Sequence, residues 1–597
     1  MSGASEAGPP PMTGARPSAG CTRGTLLATL MLIGITAVAY GPVLGHHFIE
    51  SWDDSAAILG NPDYDPPTFR KLAHYWVPPP KSIFYVPVTY TLWGLLAMAS
   101  RPSAPPGLPF NPAIFYAANL FSHAVSAGLV FLILTRLLPR TREDGGDACA
   151  GAARAHSRVP LHGERQQQRN RRWSVLAAWL GAAVFAMHPV QVEGVATASS
   201  LYTPLSGMFG FFAVWQYLLF SERESGKGEL RDLASKHYAL AILGFVLAVL
   251  TKPTAVAVPL IIAVIELTLR KRELLGLAVT LGPWIFLSLL AIWLNQQSSP
   301  GATVFVPERL FRPLVPLDAI GFYVTKVFAP IRLASDYGRS PRWLIVHPLA
   351  WLTCLIPLVI GGLAWHMRRR VPWLLASFGV FVAGLLPSIG IVPFDFQHYS
   401  TVADRYMYLA MLGPAMAVAF LVARFRQLAA GVAMAVVGIL ATLAVIQLGY
   451  WQDDWRLMAH TLEVNPQSVS AVNGLRYLLT GWHDTRAFPA PRSCTLDQRE
   501  LVRVGDLLMH RRLWPLAAAA YHRALSRGEP AAMLYDRLGD ALLRDTDPKS
   551  AAEAYKEALR LDPKDQTALH GLSQAAALFV SPATVPFSTT TRAMLCQ

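Results

Sequence analysis

Long apolar runs alternate with short polar breaks over the first 450 residues, and after that the long runs stop. Crossing a bilayer as a helix takes about 20 mostly apolar residues. Runs of that kind occur near residues 25–44, 113–138, 173–187, 204–220, 238–251, 253–269, 274–294, 346–366, 372–388, 406–423 and 429–449. Two more apolar stretches, 83–99 and 317–333, are shorter or interrupted and are expected at the surface. The pattern predicts an all-α, polytopic membrane protein with about eleven spans between residues 25 and 449.

From residue 450 onward a 34-residue period replaces the long runs. In 532–565, Tyr535, Leu538, Gly539, Ala551, Tyr555, Ala558 and Pro563 stand at the signature positions of a tetratricopeptide repeat. Gly505, Leu508, Ala517, Tyr521 and Ala524 repeat the pattern one period earlier, which marks a repeat at about 498–531. The small residues let two helices approach closely, Tyr555 fills the gap between them, and Pro563 starts the next unit. Residues 450–597 are therefore expected to hold a helical-repeat domain that binds polypeptide and carries no catalytic signature. Arrays of this kind need about three units to be stable. This one is expected to lean on the membrane part or on a helix around 453–480.

Composition sharpens the picture. Of the 597 residues, 53% are hydrophobic and 15% charged, where a soluble domain carries about 25% charged. With a mean hydropathy of +0.34, this excludes an ordinary soluble enzyme and a disordered chain. None of the five cysteines makes a Cys-x-x-Cys pair, so neither a zinc site nor a disulfide framework is indicated. The net charge of +14 would raise nucleic-acid binding in a soluble protein. Here most Lys and Arg before residue 450 fall in loops on one side of the eleven spans, including 139–172 and Arg368 to Arg370. The positive-inside rule puts those loops and the N-terminus in the cytoplasm and the tail outside, with no nucleic-acid partner. Residues 1–24, rich in Pro, Gly, Ala and Ser, are expected to be disordered.

This topology gathers ionisable residues on the outer face. The outer loop 45–112 contains Trp52-Asp53-Asp54. Adjacent carboxylates can hold a divalent cation such as Mg or Mn, or serve as a general base, or simply cap a helix. His188 and Glu193 follow the third span, Lys252 interrupts a long apolar stretch, and Arg405 stands at the opening of the tenth span. An Arg and a Lys at headgroup level can bind a phosphate. Each also has a plainer reading. Lys252 can snorkel, Arg405 can pair with Asp404 or Asp395, and His188 can be a core histidine. Their convergence on one face, rather than at the midplane, and the lack of an inverted repeat of spans speak against a transporter.

The same segments carry a family resemblance. Trp52-Asp53-Asp54 with Asn61-Pro62, Pro87-Val88-Thr89-Tyr90, Asn119 to Ala124, His188 to Glu193, Thr251-Lys252 and Ser400 to Leu409 resemble bacterial relatives of the transmembrane and tetratricopeptide-repeat (TMTC-type) O-mannosyltransferases, of the GT-C class. The resemblance implies transfer of mannose or another hexose from a polyprenyl-phosphate carrier to an extracytoplasmic acceptor, at a bacterial inner membrane. It implies Asp53 or Asp54 as general base or metal ligand, Arg405 and Lys252 at the donor phosphate, and His188 and Glu193 on the acceptor side. It implies that the repeats hold the polypeptide acceptor. The alternative is a non-catalytic membrane anchor presenting repeats to protein partners.

Overall fold

The computed structural model describes residues 19–77, 84–138, 161–224, 229–298, 304–480 and 497–580. Among them the chain is helical, with no β-strand. Each apolar run expected to span falls largely on helix. Among the described residues seven stretches, fewer than the eleven expected, are long and apolar enough to cross a bilayer on their own: Arg23–Gly45, Pro112–Leu137, Ala234–Thr251, Pro253–Arg270, Leu274–Gln297, Pro348–His366 and Gln427–Tyr450. Gln168–Met187 and Pro189–Val195 pass the same test only together, as a pair bent by 52°, which is the shape of a broken span or a re-entrant loop. Pro372–Ser388 and Leu412–Phe425 are shorter apolar helices.

The molecule is thus an all-α polytopic membrane protein with a helical-repeat tail. Its apolar surface shows why a bilayer is required. Leu349, Val359, Leu428 and Ile439 are all exposed along two of the long helices, and a soluble monomer rarely leaves such contiguous apolar surface uncovered. The inner helices instead bury their side chains in one core, built around Pro112–Leu137, Leu161–Met187, Tyr202–Arg223 and Leu412–Phe425.

Several boundaries differ from expectation. The first helix starts at Ala19, and the helix ending at Met187 starts at Leu161, inside the expected loop 139–172. Its Gln- and Arg-rich start is made of good helix formers, so the helix runs on past the apolar stretch. The apolar run expected from 406 becomes helix only at Leu412, because Asp404–Met407 is a separate 3₁₀ turn. The two stretches expected at the surface are half-buried helices, Pro87–Ser100 and Leu314–Phe328. Residues 1–18, 139–160 and Cys149, Cys494 and Cys596 lie outside the described residues.

The tail forms helix pairs Asp454–Val464 with Val469–Thr480, Gln498–His510 with Trp514–Leu525, and Ala532–Arg544 with Pro548–Leu561, followed by Gln566–Val580. Tyr555 is fully buried between Gly539 and Gly571, and a β-carbon on Gly539 would stand 2.6 Å from its ring. The Tyr555 hydroxyl donates to Asp540 at 2.7 Å, and 34 residues earlier Tyr521 donates to Asp506 at 2.7 Å. The period therefore encodes an acceptor as well as the aromatic filler. Gly539→Val is expected to destabilise the repeats by about 1–3 kcal/mol through overpacking. Tyr555→Phe loses one hydrogen bond and is expected to cost about 1 kcal/mol. Thermal unfolding of the purified full chain ranks the two, and an equal or reversed ranking would show that the Gly–Tyr contact does not limit stability.

A second hydrophobic core joins the tail to the bundle. It runs from Tyr40, Phe48, Ile58 and Trp93 through Trp451, Trp455 and Leu475 to Tyr521 and Leu538. The segment before Ser340 clasps the first tail helices. Ser335 Oγ meets Thr461 Oγ1 at 2.9 Å, and Ser468 donates to Asp336 at 2.7 Å.

Candidate functional site

At the bundle end where helices stop at Tyr40, Met187, Thr251 and Tyr450, three irregular segments meet. They are 188–201, 252–257 and the stretch around 386–411. Proline explains two of the breaks. Pro189 and Pro253 each open a new 3₁₀ turn, where the missing N–H costs nothing. A side chain accounts for the third. Glu193 accepts the Arg405 backbone N–H at 2.8 Å and also pairs with the Arg405 guanidinium. Both residues are buried. Arg405 is thereby held at its backbone and at its side chain by one carboxylate. Its partner is Glu193, not Asp404 or Asp395. Asp404 instead accepts from Tyr337 Oη at 2.7 Å.

The Arg405 guanidinium lies over Phe396, 4.4 Å from the ring centre, and 5.1 Å from that of Tyr406. Lys252 Nζ donates to Thr203 Oγ1 at 2.8 Å and sits 4.8 Å from the Tyr202 ring centre. Lys252 and Arg405 line the same small cavity, together with Thr203, Ser206 and Tyr406. Two cations on one cavity can receive an anion, with Glu193 paired to Arg405 and Asp53 in its field.

The two adjacent aspartates part company. Asp54 is fully buried. Its Oδ2 accepts the Ile49 N–H at 2.8 Å, and its Oδ1 accepts the Ser199 N–H at 2.7 Å. It ties the 49–54 turn to the bundle. Asp53 is exposed and makes no hydrogen bond among the described residues. The dense protein around it raises its proton affinity, opposed by the charge of Arg405. The neighbouring Trp52 packs edge-on against Phe396, the ring beneath Arg405.

A divalent cation does not fit this pair. Both Asp54 oxygens face N–H donors, which a cation would have to displace. No group of three His, Cys, Asp or Glu that could hold a metal occurs among the described residues. His188 does not offer a ring nitrogen to the cavity. Its Nδ1 accepts the Val190 N–H at 3.4 Å and its Nε2 faces the Val327 carbonyl at 3.2 Å. It behaves as a satisfied core histidine. Sequence reasoning missed Thr203, which orients Lys252, and Asp454, whose side chain accepts the Ser51 N–H at 2.6 Å. Thr203 sits in a neutral stretch, and Asp454 lies some 400 residues from its partners, so no local signal marks either.

Residues 532–565 match the tetratricopeptide repeat. No curated protein and no solved structure matches the chain. The repeat is a protein-binding unit, and it supports a polypeptide partner for the tail.

Burial pushes the Asp54 carboxyl up to about 6 and that of Asp454 up to about 7, from an ordinary 3.8. The folded protein thus keeps these protons to higher pH than the unfolded chain does. Their contribution to stability is complete below the unfolded value and is lost as pH rises through the folded ones. The unfolding midpoint in detergent is expected to be higher at about pH 5 than at about pH 8, and Asp454→Asn to flatten that slope. An unchanged slope in the variant would contradict the assignment.

Proposed function

We propose that this chain is a membrane glycosyltransferase that moves a hexose, mannose being the first candidate, from a polyprenyl-phosphate carrier to a polypeptide hydroxyl. The observation that carries the reading is Lys252 and Arg405 on one cavity, with the accessible Asp53 carboxylate in the field of Arg405. Phosphate is the leaving group of such a donor, and the two cations stabilise the charge it gains. Asp53 takes the proton of the acceptor hydroxyl as its oxygen attacks the anomeric carbon. The bond from that carbon to the phosphate oxygen breaks, and the phosphate leaves with the electron pair. One displacement inverts the anomeric centre. The lipid tail of the donor lies against the apolar helices. In this reading residues 25–449 form the membrane unit with the site on its extracytoplasmic side, and residues 450–597 hold the acceptor there. Glu193 fixes Arg405, and Asp54 and His188 support the fold around the site.

Mass spectrometry of exported polypeptides from cells with and without this chain tests the reading. Loss of a hexose mass from at least one polypeptide is expected. Unchanged glycosylation would overturn it and leave the membrane-anchored scaffold, which the repeat match supports independently.

A further inference from the structure

The turn that carries Asp53 is held from two directions, and one of them is the tail. Each backbone N–H from Ile49 to Trp52 has an acceptor. Ile49 donates to Asp54 Oδ2 at 2.8 Å, and Trp52 donates to the Ile49 carbonyl at 3.3 Å. Glu50 and Ser51 donate to Asp454 Oδ2 and Oδ1 at 3.1 and 2.6 Å. The Ser51 hydroxyl donates to Asp454 as well. Asp454 opens the helix Asp454–Val464 and is almost fully buried. Close by, the His47 N–H donates to the Gln452 carbonyl at 3.1 Å. The same helix packs on Val469–Thr480 and touches Gln498–His510, the first helix of the repeats.

We propose that Asp454 is a positioning residue for Asp53, so that the tail completes the site instead of only delivering an acceptor to it. The proposal rests on the transferase reading above. Within that reading, Asp53 depends on two anchors, Asp54 to the bundle and Asp454 to the tail. The tail anchor is a single carboxylate that accepts from both Glu50 N–H and Ser51 N–H. A misplacement of about 1 Å of a reacting group can cost on the order of a hundredfold in rate. Loss of the Asp454 clasp therefore acts on the chemical step and leaves the donor cavity at Lys252 and Arg405 in place.

The test uses the full-length protein in nanodiscs, a synthetic polyprenyl-phosphate mannose as donor and a short serine peptide as acceptor. Asp454→Asn is expected to lower kcat by about tenfold to a hundredfold with the donor KM nearly unchanged. Ser51→Ala keeps the carboxylate and both amide bonds and is expected to lose only a few-fold. Hydrogen exchange read by mass spectrometry is expected to speed up at residues 47–54 in Asp454→Asn while residues 532–565 keep their protection. A wild-type kcat in Asp454→Asn overturns the proposal, and so does unchanged exchange at 47–54. If Asp454→Asn does not fold, Asp454→Glu, which keeps the carboxyl but moves it by one methylene, decides on the same two readouts. If the wild-type protein transfers no mannose, the transferase reading falls by itself, and the exchange measurement still decides whether Asp454 holds the turn.

Discussion

Asp53→Asn is expected to lower sugar transfer by about 10²- to 10⁴-fold, the usual worth of a general base, without moving the unfolding midpoint. Asp53 is exposed and makes no hydrogen bond among the described residues, so an amide of the same shape disturbs nothing structural. Asp54→Ala is expected to do the reverse first. It strips the acceptor from the buried N–H groups of Ile49 and Ser199, each worth about 1–3 kcal/mol when left unsatisfied. Activity would fall with the folded fraction. Transfer assays and thermal unfolding run on both variants separate the roles. Full activity in Asp53→Asn would remove it as the base, and a stable, inactive Asp54→Ala would exchange the assignments.

Arg405→Ala carries the second large effect. Removing the guanidinium leaves Glu193 buried without its cation, and breaking a buried pair in this way costs about 3–5 kcal/mol. A single variant would confuse lost stability with lost phosphate binding. The double variant Glu193→Gln with Arg405→Met removes both charges and is expected to recover most of the lost stability, while transfer stays absent because the cavity lacks one of its two cations. Unfolding midpoints for Glu193→Gln, Arg405→Met and the double give the coupling energy. Recovery of transfer in the double variant would show that Arg405 serves Glu193 alone and takes no part at the phosphate.

The apolar runs made the bundle legible because each span must satisfy its own backbone inside lipid, so every such run had to be helix. The repeats were legible for a related reason. A 34-residue unit recurs with its packing residues, and Gly539 and Tyr555 meet as the period requires. Helix ends were less legible. Leu161 and Leu412 start their helices where no hydropathy change marks the place. Arg405 shows why, since its N–H is taken by Glu193, 212 residues earlier in the chain, and the 3₁₀ turn follows from that contact.

The site residues divide along the same line. The chain alone put Asp53, Asp54, His188, Glu193, Lys252 and Arg405 on one face as suspects, because ionisable residues at the ends of apolar helices are rare and costly, and His188 turned out to be bonded away from the cavity. Their division of labour was not readable from the chain. Two neighbouring aspartates have identical side chains, and only the tertiary structure turns one toward two buried N–H groups and leaves the other exposed. In sequence terms Arg405 had two candidate partners, Asp404 and Asp395, and packing chose a third, Glu193. The chain alone thus determined the elements and the kinds of chemistry they carry, since hydropathy and periodicity are local properties. Pairing and exposure are not local. They depend on which distant segment fills the space beside each group, and Asp454 beside Ser51 is a contact that no local pattern records.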